Sequence, residues 1–206
     1  MNIVLLGGPA SGKGTQAKNI SQKYNLLHIS TGQLLRDIIN QNSQLSKTVE
    51  SYVQAGKLVP DDIIIDLLKD FLQKNDTKNG ILFDGFPRTL NQAKELQKVV
   101  KIDYCIEIDV SLKTVLQRVD QRWVCSACGK NHIVSGNANK LCNTCGKKLV
   151  KRTDDTEQTA TNRYNDYLQL KNGIVDFYKK LNTFYRIDGE LSIQETFDQI
   201  CKIIKV

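Results

Sequence analysis

The stretch from Met1 to Thr15, MNIVLLGGPASGKGT, decides how the rest of the chain is read. Asn2 to Leu6 is a short apolar run rich in branched side chains, the pattern of a buried strand. It breaks at Gly7-Gly8-Pro9, and a helical pattern starts at Lys13 and runs to about Tyr24. A strand, a glycine-rich turn and a helix start together make a cradle for an anion. The glycines let backbone N–H groups converge on phosphate oxygens, and the helix N-terminus adds favourable partial charge. Lys13 adds a mobile positive charge suited to β- and γ-phosphates. The spacing Gly7-x-x-x-x-Gly12-Lys13 fits a P-loop, except that Gly14 stands where Ser or Thr ordinarily follows and Thr15 comes one position later.

A chain of 206 residues can bury a real core, and one α/β domain with small insertions is expected. No apolar run approaches the roughly 20 residues of a membrane span. The apolar start has no basic flank and runs into the phosphate loop, so it does not read as a signal peptide, and the expected location is cytoplasmic. The net charge of +7 suits an anionic partner: a nucleotide, a nucleic acid or a membrane surface. Of the 29 basic residues only seven are arginine: Arg36, Arg88, Arg118, Arg122, Arg152, Arg163 and Arg186. Either the arginines are kept for places that need a rigid bidentate fork on phosphate, or they are scattered in a lysine-biased chain.

Strands alternate with helices along the chain, which argues for a parallel sheet covered on both faces, with the ligand at the carboxyl ends of its strands. After the first helix, Leu26 to Ile29 reads as a strand, and Ser30 and Thr31 as caps of the helix TGQLLRDII. A short helix over about 45–54 ends at Gly56, and Pro60 suits the first turn of the next, Asp61 to about Lys74. Residues 30–59 therefore form a small helical excursion. Ile81 to Asp84 is the next strand, and Asp84 at its end, beside a phosphate loop, is placed to hold Mg²⁺ or its water shell. Gly85 and Pro87 then force a turn that projects Arg88 into the same cleft. Thr89 to Val100 is helical, Asp103 to Val110 a strand, and Ser111 to Gln121 a helix. A long helix covers Glu157 to Lys180, a last strand Phe184 to Ile187, and a closing helix Ile193 to Ile204.

Residues 122–158 break this pattern, with few large apolar side chains and a near-repeat, CSACGK at 125–130 and CNTCGK at 142–147. Each is a knuckle whose glycine permits the left-handed turn that aims two sulfurs at one metal. Cys125, Cys128, Cys142 and Cys145 fill a tetrahedral zinc and leave no open position, so the metal is structural. Lys130, Lys147, Lys148 and Lys151 stand near enough in sequence to offset the site's negative charge, and His132 is a possible competing ligand. Cys105 and Cys201, in apolar strand and helix patterns, read as small buried hydrophobes.

Together the pieces resemble the adenylate kinases, in their zinc-bearing long form, within the nucleoside monophosphate kinase family. GGPASGKGTQA matches the family's phosphate loop, including its Gly14-Thr15 ending. STGQLLR, GKLVPDD, FDGFPRT with Gln92 downstream, the paired cysteines, and RTDD leading to Arg163 follow in the family's order over essentially the whole chain. The resemblance implies an α/β fold of three layers with a five-stranded parallel sheet. Residues 1–29, 60–121 and 159–206 would form its core, 30–59 a mobile nucleoside monophosphate-binding domain, and 122–158 a zinc-binding lid.

It also implies roles. Pro9, Ala10, Ser11, Gly12, Lys13, Gly14 and Thr15 would hold the ATP phosphates. Arg118 would stack on the adenine, with the Leu191 carbonyl beside it, and Arg122, Asn131 and His132 would reach ATP from the lid. Thr31, Arg36, Lys57, Leu58, Val59, Gly85, Phe86, Pro87, Arg88 and Gln92 would enclose AMP. Arg152 and Arg163 would clamp the phosphates between the nucleotides. Catalysis would rest on Lys13, Asp84, Arg88, Arg122, Arg152 and Arg163. Six of the seven arginines fall on family positions, Arg186 being the exception, which favours reserved use over scatter.

Two departures stand out: Gln33 replaces the family's usual Asp, and the 13-residue loop from Gly129 to Leu141 is short for a zinc lid, with His132 where an aromatic is usual. The expected reaction is Mg·ATP + AMP ⇌ 2 ADP in a monomer, with no nucleic-acid or membrane partner. A UMP or CMP kinase is a close rival, disfavoured by Gln92 and the lid. A zinc-ribbon nucleic-acid binder, suggested by the knuckles and the basic charge, is a rival of another class, disfavoured because residues 122–158 lack the exposed aromatic stacking platform that such proteins use. A P-loop regulatory ATPase is a third option, disfavoured because nothing in the sequence supplies a water-activating residue beyond Asp84.

Overall fold

The computed structural model describes residues 1–41, 43–134, 140–152 and 155–205. Five strands, β1 (Ile3–Leu6), β2 (Leu27–Ser30), β3 (Ile81–Asp84), β4 (Tyr104–Asp109) and β8 (Phe184–Asp188), form one parallel sheet in the order β2-β3-β1-β4-β8. The first run of sequence explains the layering. Val4 and Leu6 join one core cluster with Phe83 and Tyr178, while Ile3 and Leu5 join another with Ile106 and Ile200. A strand buried on both faces cannot alternate polar and apolar residues, which is why Ile3-Val-Leu-Leu6 reads as a continuous apolar run.

The helices α1 (Lys13–Tyr24) and α8 (Ile193–Ile203) cover one face. The other is covered by α4 (Asp61–Lys74), α5 (Leu90–Val99) and α7 (Glu157–Lys180), with α2 (Thr31–Ile39) and α3 (Gln44–Gln54) packed beyond them. The helix α6 (Leu112–Gln121) follows β4 and packs through Val115 and Val119 against Ala160 of α7. From β1 the chain crosses toward the β2 edge, and from β4 toward the β8 edge. Where two adjacent strands send their connections in opposite directions, a crevice opens at their carboxyl ends.

The strands and helices expected from the sequence are present, with ends differing by a residue or two. Two details differ in kind. The cap of α2 is backbone only: the Ser30 side chain accepts nothing, and the Thr31 hydroxyl turns away to donate to the carbonyls of Gly85, at 2.9 Å, and Asp84, at 3.3 Å. Pro60 precedes α4 as its cap residue rather than lying in its first turn.

Between α6 and α7 the chain forms an antiparallel sheet that the sequence pattern did not announce. Its strands are β5 (Arg122–Cys125), β6 (Asn131–Ile133) and β7 (Leu149–Val150), in the order β6-β5-β7. Strands of two to four residues are too short to show a period of their own. Their apolar content is a satellite cluster of Cys125, Cys142 and Leu149 with Trp123 and Val134. Asp154, expected near the start of α7, and residues 135–139 of the short loop lie outside the described residues. Cys105 is fully buried in the main core as expected, whereas Cys201 is half-buried with its sulfur 3.2 Å from Lys23 Nζ.

Candidate active site

The loop after β1 is packed tightly at its base. A Cβ on Gly7 would lie 2.6 Å from Ser11 Oγ and 2.8 Å from the Ile108 carbonyl, so only glycine lets the turn close against β4. Lys13 Nζ donates to the carbonyls of Gly7, at 2.7 Å, and Gly8, at 2.6 Å, and reaches Ser11 Oγ at 3.3 Å. Burial, aided by the charges of Arg88 and Arg122 and opposed by Asp84, lowers its pKa to about 8. Pro9, Ala10, Ser11, Gly12, Gly14 and Thr15 complete the loop and the first turn of α1, with Ser11 buried.

Asp84 ends β3, one strand over, in register with Leu5. Its Oδ2 lies 3.4 Å from where a Gly14 Cβ would be, so the carboxylate faces the helix start. Burial opposes its ionisation, but the facing His28 imidazole and the charges of Lys13 and Arg88 outweigh burial and hold its pKa below the usual carboxylate value. His28 Nε2 stands 3.7 Å from Asp84 Oδ2, longer than a hydrogen bond. An ionised carboxylate beside a phosphate cradle is a donor chemically suited to Mg²⁺ or its waters.

Gly85 to Arg88 turn away from the sheet through a cis Phe86–Pro87 peptide, with Phe86 buried. Arg88 Nε donates to the Gly85 carbonyl at 2.8 Å. Desolvation and the charge of Arg163 lower its pKa, against the pull of Asp84, so the two arginines feel one another. Arg163, on α7, donates to the Val53 carbonyl at 3.3 Å, at the end of α3. Gln92 on α5 is buried, accepts from the Arg88 N–H at 2.7 Å and donates to Asp61 Oδ1 at 2.7 Å. Its amide keeps one further N–H and one further lone pair. Arg36 rests on Gln33 Oε1, with Nη2 at 2.8 Å, while Gln33 Nε2 donates to Asp37. Thr31 touches the Gly85 turn, and Lys57, Leu58 and Val59 follow α3, Val59 being buried.

On the other flank, Arg118 donates to the carbonyls of Ser11, at 3.2 Å, and Gly189, at 2.7 Å. It thereby ties the phosphate loop to the turn that carries Leu191. Arg122, at the start of β5, is held by Asp155 through both carboxylate oxygens, with Nε 2.6 Å from Oδ2. Arg152 lies between β7 and α7, its carbonyl accepting from Asp155 N–H at 3.2 Å. Asn131 and His132 lie on β6, His132 opposite Trp123, with a buried Nε2 that has no hydrogen-bond partner among the described residues.

The four knuckle sulfurs lie within 4.8 Å of one another, Cys125 to Cys145 at 3.4 Å and Cys128 to Cys142 at 3.7 Å. These separations are too long for disulfides and close to the edge of a tetrahedron built on ~2.3 Å metal–sulfur bonds. The N–H groups of Ala127 and Cys128 point at Cys125 Sγ, and that of Thr144 at Cys142 Sγ. Gly129 and Gly146 make the turns at φ 67° and 70°. A set of four thiols with N–H support fits zinc.

Sequence reading missed the partners that orient these groups: His28 facing Asp84, Asp61 on Gln92, and Asp155 on Arg122. Each pair is joined by folding across tens of residues, and no local pattern signals it.

A description of the adenylate kinase family matches residues 5–183 of the chain. Adenylate kinase of Clostridium perfringens (strain SM101 / Type A) is 42% identical, over 99% of this chain and 98% of the relative. Those of Methanothrix thermoacetophila, at 41%, and Clostridium tetani, at 40%, match over the same shares.

Proposed function

The chain belongs to the adenylate kinase family, and on that premise we propose that it transfers the terminal phosphoryl group of Mg·ATP to AMP, reversibly giving two ADP, by direct in-line displacement. The observation that carries this reading is the seating of Lys13 in the loop after β1, in the field of Asp84, Arg88 and Arg122 at one end of the sheet. Pro9 to Thr15 hold the ATP phosphates, Lys13 moving from its loop carbonyls onto the β- and γ-oxygens. Arg118 and Leu191 frame the adenine. Thr31, Arg36, Lys57 to Val59, Gly85 to Arg88 and Gln92 enclose AMP, Gln92 reading the base with the N–H and lone pair it has left. Arg152 and Arg163 clamp the phosphates between the two nucleotides.

The AMP phosphate is itself the nucleophile and is largely ionised at neutral pH, so the protein needs no general base. Its task is to align two anions and spread the charge that builds on the transferred group, which Lys13, Arg88, Arg122, Arg152 and Arg163 do. Mg²⁺ held with ATP near Asp84 supplies further neutralisation of the phosphate oxygens. Residues 30–59 and 122–158 act as the monophosphate-binding domain and the lid, excluding water so that ATP is not hydrolysed. Zinc on the four cysteines shapes the lid and takes no part in the chemistry. No described helix is long and apolar enough to cross a membrane. We read the protein as a cytoplasmic monomer that works on free nucleotides.

ATP labelled at its γ-phosphate tests the transfer. Label is expected in newly formed ADP only when AMP is present, with none left on acid-quenched protein. Label on the protein would replace direct transfer by a phosphoenzyme route.

A further inference from the structure

Arg186, the arginine that matches no phosphate position, leads to a buried carboxylate. Glu107 lies in the middle of β4 with no exposed surface. Tyr167 Oη donates to its Oε1 at 2.6 Å, Lys171 Nζ to Oε1 at 2.7 Å, and Arg186 Nε to Oε2 at 2.7 Å. Tyr167 and Lys171 are one turn apart on α7, and Arg186 is on β8, so one side chain ties β4 to its covering helix and to the neighbouring edge strand. Burial opposes ionisation, yet the hydrogen bonds from Lys171, Tyr167 and Arg186 outweigh it and keep the carboxyl pKa below its usual value. A buried charge cluster of this kind is a weak source of stability, because desolvation consumes most of its attraction. Its placement suggests another use.

Glu107 is paired across the sheet with Leu6, the last residue before the phosphate loop. A Cβ on Gly8 would lie 3.1 Å from Tyr164 Cδ2 and 3.5 Å from Tyr167 Cδ1, so both rings stand over the open side of that glycine, Tyr164 the closer. Tyr164 is fixed by its hydroxyl on the Val110 carbonyl at 3.0 Å, and Tyr167 by Glu107. Arg163 is the neighbour of Tyr164 on the same helix. Tyr167, one turn along α7 from Arg163, is thus the ring over the phosphate loop whose position depends on Glu107.

We propose that Glu107 is a positioning residue for Mg·ATP: by holding the Tyr167 hydroxyl it fixes that ring over Gly8, and with it the shape of the phosphate loop. This rests on reading the loop as the ATP cradle. The AMP pocket is built around β2, β3 and α5, on the far side of β1, and Glu107 does not set its shape. The effect is selective between the two substrates, which a role in stability alone is not.

Two variants, made beside the wild type, test it by steady-state kinetics with each substrate varied in turn, and by thermal melting. Glu107→Gln keeps the shape but puts an amide N–H among three donors, and Tyr167→Phe keeps the ring on Gly8 but removes the tether. The expected result is a kcat/KM for Mg·ATP lowered about tenfold in E107Q and about threefold in Y167F, with KM for AMP within about twofold of wild type. Lower Tm values with kcat and both KM values unchanged would overturn the proposal, as would equal rises in the two KM values. If E107Q does not fold, Y167F decides by the same criteria. A wild type that makes no ADP would instead overturn the reading of the loop as an ATP cradle.

Discussion

The phosphate cradle and the cysteine lobe are built by opposite means. The cradle hangs from β1 and β4, whose side chains are buried on both faces by two clusters of large aliphatics. The lobe has three short strands and a cluster of three buried residues, two of them proposed metal ligands. Burying one aliphatic side chain contributes about 1.5–3 kcal/mol, so the sheet is held by apolar burial, whereas the lobe is too small to be held that way and, on the proposed reading, would depend on a metal held by its four cysteines. On the proposed reading, different forces would hold the cradle and the lid, which would let one stay rigid while the other moves.

Charge substitutions in the cleft sharpen that contrast most. Arg88→Lys keeps the charge but loses the fork, and is expected to lower kcat about 10²–10³-fold with no change in Tm or metal content. Arg186→Lys, outside the cleft, is expected to stay within about threefold. Equal losses in the two would erase the distinction between cleft arginines and the rest.

Metal removal comes next. Stripping the cysteines with a chelator, or Cys142→Ser, is expected to shift the emission of Trp123, the only tryptophan, which packs in the lobe's cluster. The same treatment should lower kcat about tenfold or more by loosening closure, and leave the main unfolding transition in place. Loss of the main transition together with the metal would make the two regions one folding unit. In the same sense, Ile106→Ala in the fully buried sheet is expected to cost about 2–5 kcal/mol in denaturant unfolding. Leu149→Ala, in the lobe's cluster, should leave that transition nearly unmoved and weaken metal retention instead.

The smallest effect is on pH. Burial lowers the Lys13 pKa to about 8, and bound phosphates favour its charged form. Below about 8 the free protein already carries that charge; above it, binding must take up a proton, so affinity for Mg·ATP falls by at most about tenfold per pH unit. Lys13→Arg, charged throughout, should flatten that slope as measured by calorimetric titration.

The same contrast governs what the sequence made legible. The apolar run Ile3-Val-Leu-Leu6, the glycine turn and the alternation of strand and helix patterns place the sheet and its helices to within a residue or two, because burial on both faces writes itself into local pattern. The knuckles of the lobe are legible as four cysteines brought together, and the structure does gather their sulfurs within 4.8 Å, but its strands are not, being shorter than any period. Within the cleft, residue types and order point to Lys13, Asp84 and the arginines. The groups that aim them, such as Asp155 on Arg122 and Tyr167 on Glu107, meet only after folding across 33 and 60 positions. Charge pairing at such range leaves no mark on neighbouring residues.

ADP formation from Mg·ATP, with AMP, UMP, CMP or GMP supplied in turn to folded, metal-loaded protein, tests the account most directly. Fast formation with AMP and little with the others is the predicted result. Preference for a pyrimidine monophosphate would contradict the assignment of the AMP pocket, and transfer to none of the four would contradict the kinase itself.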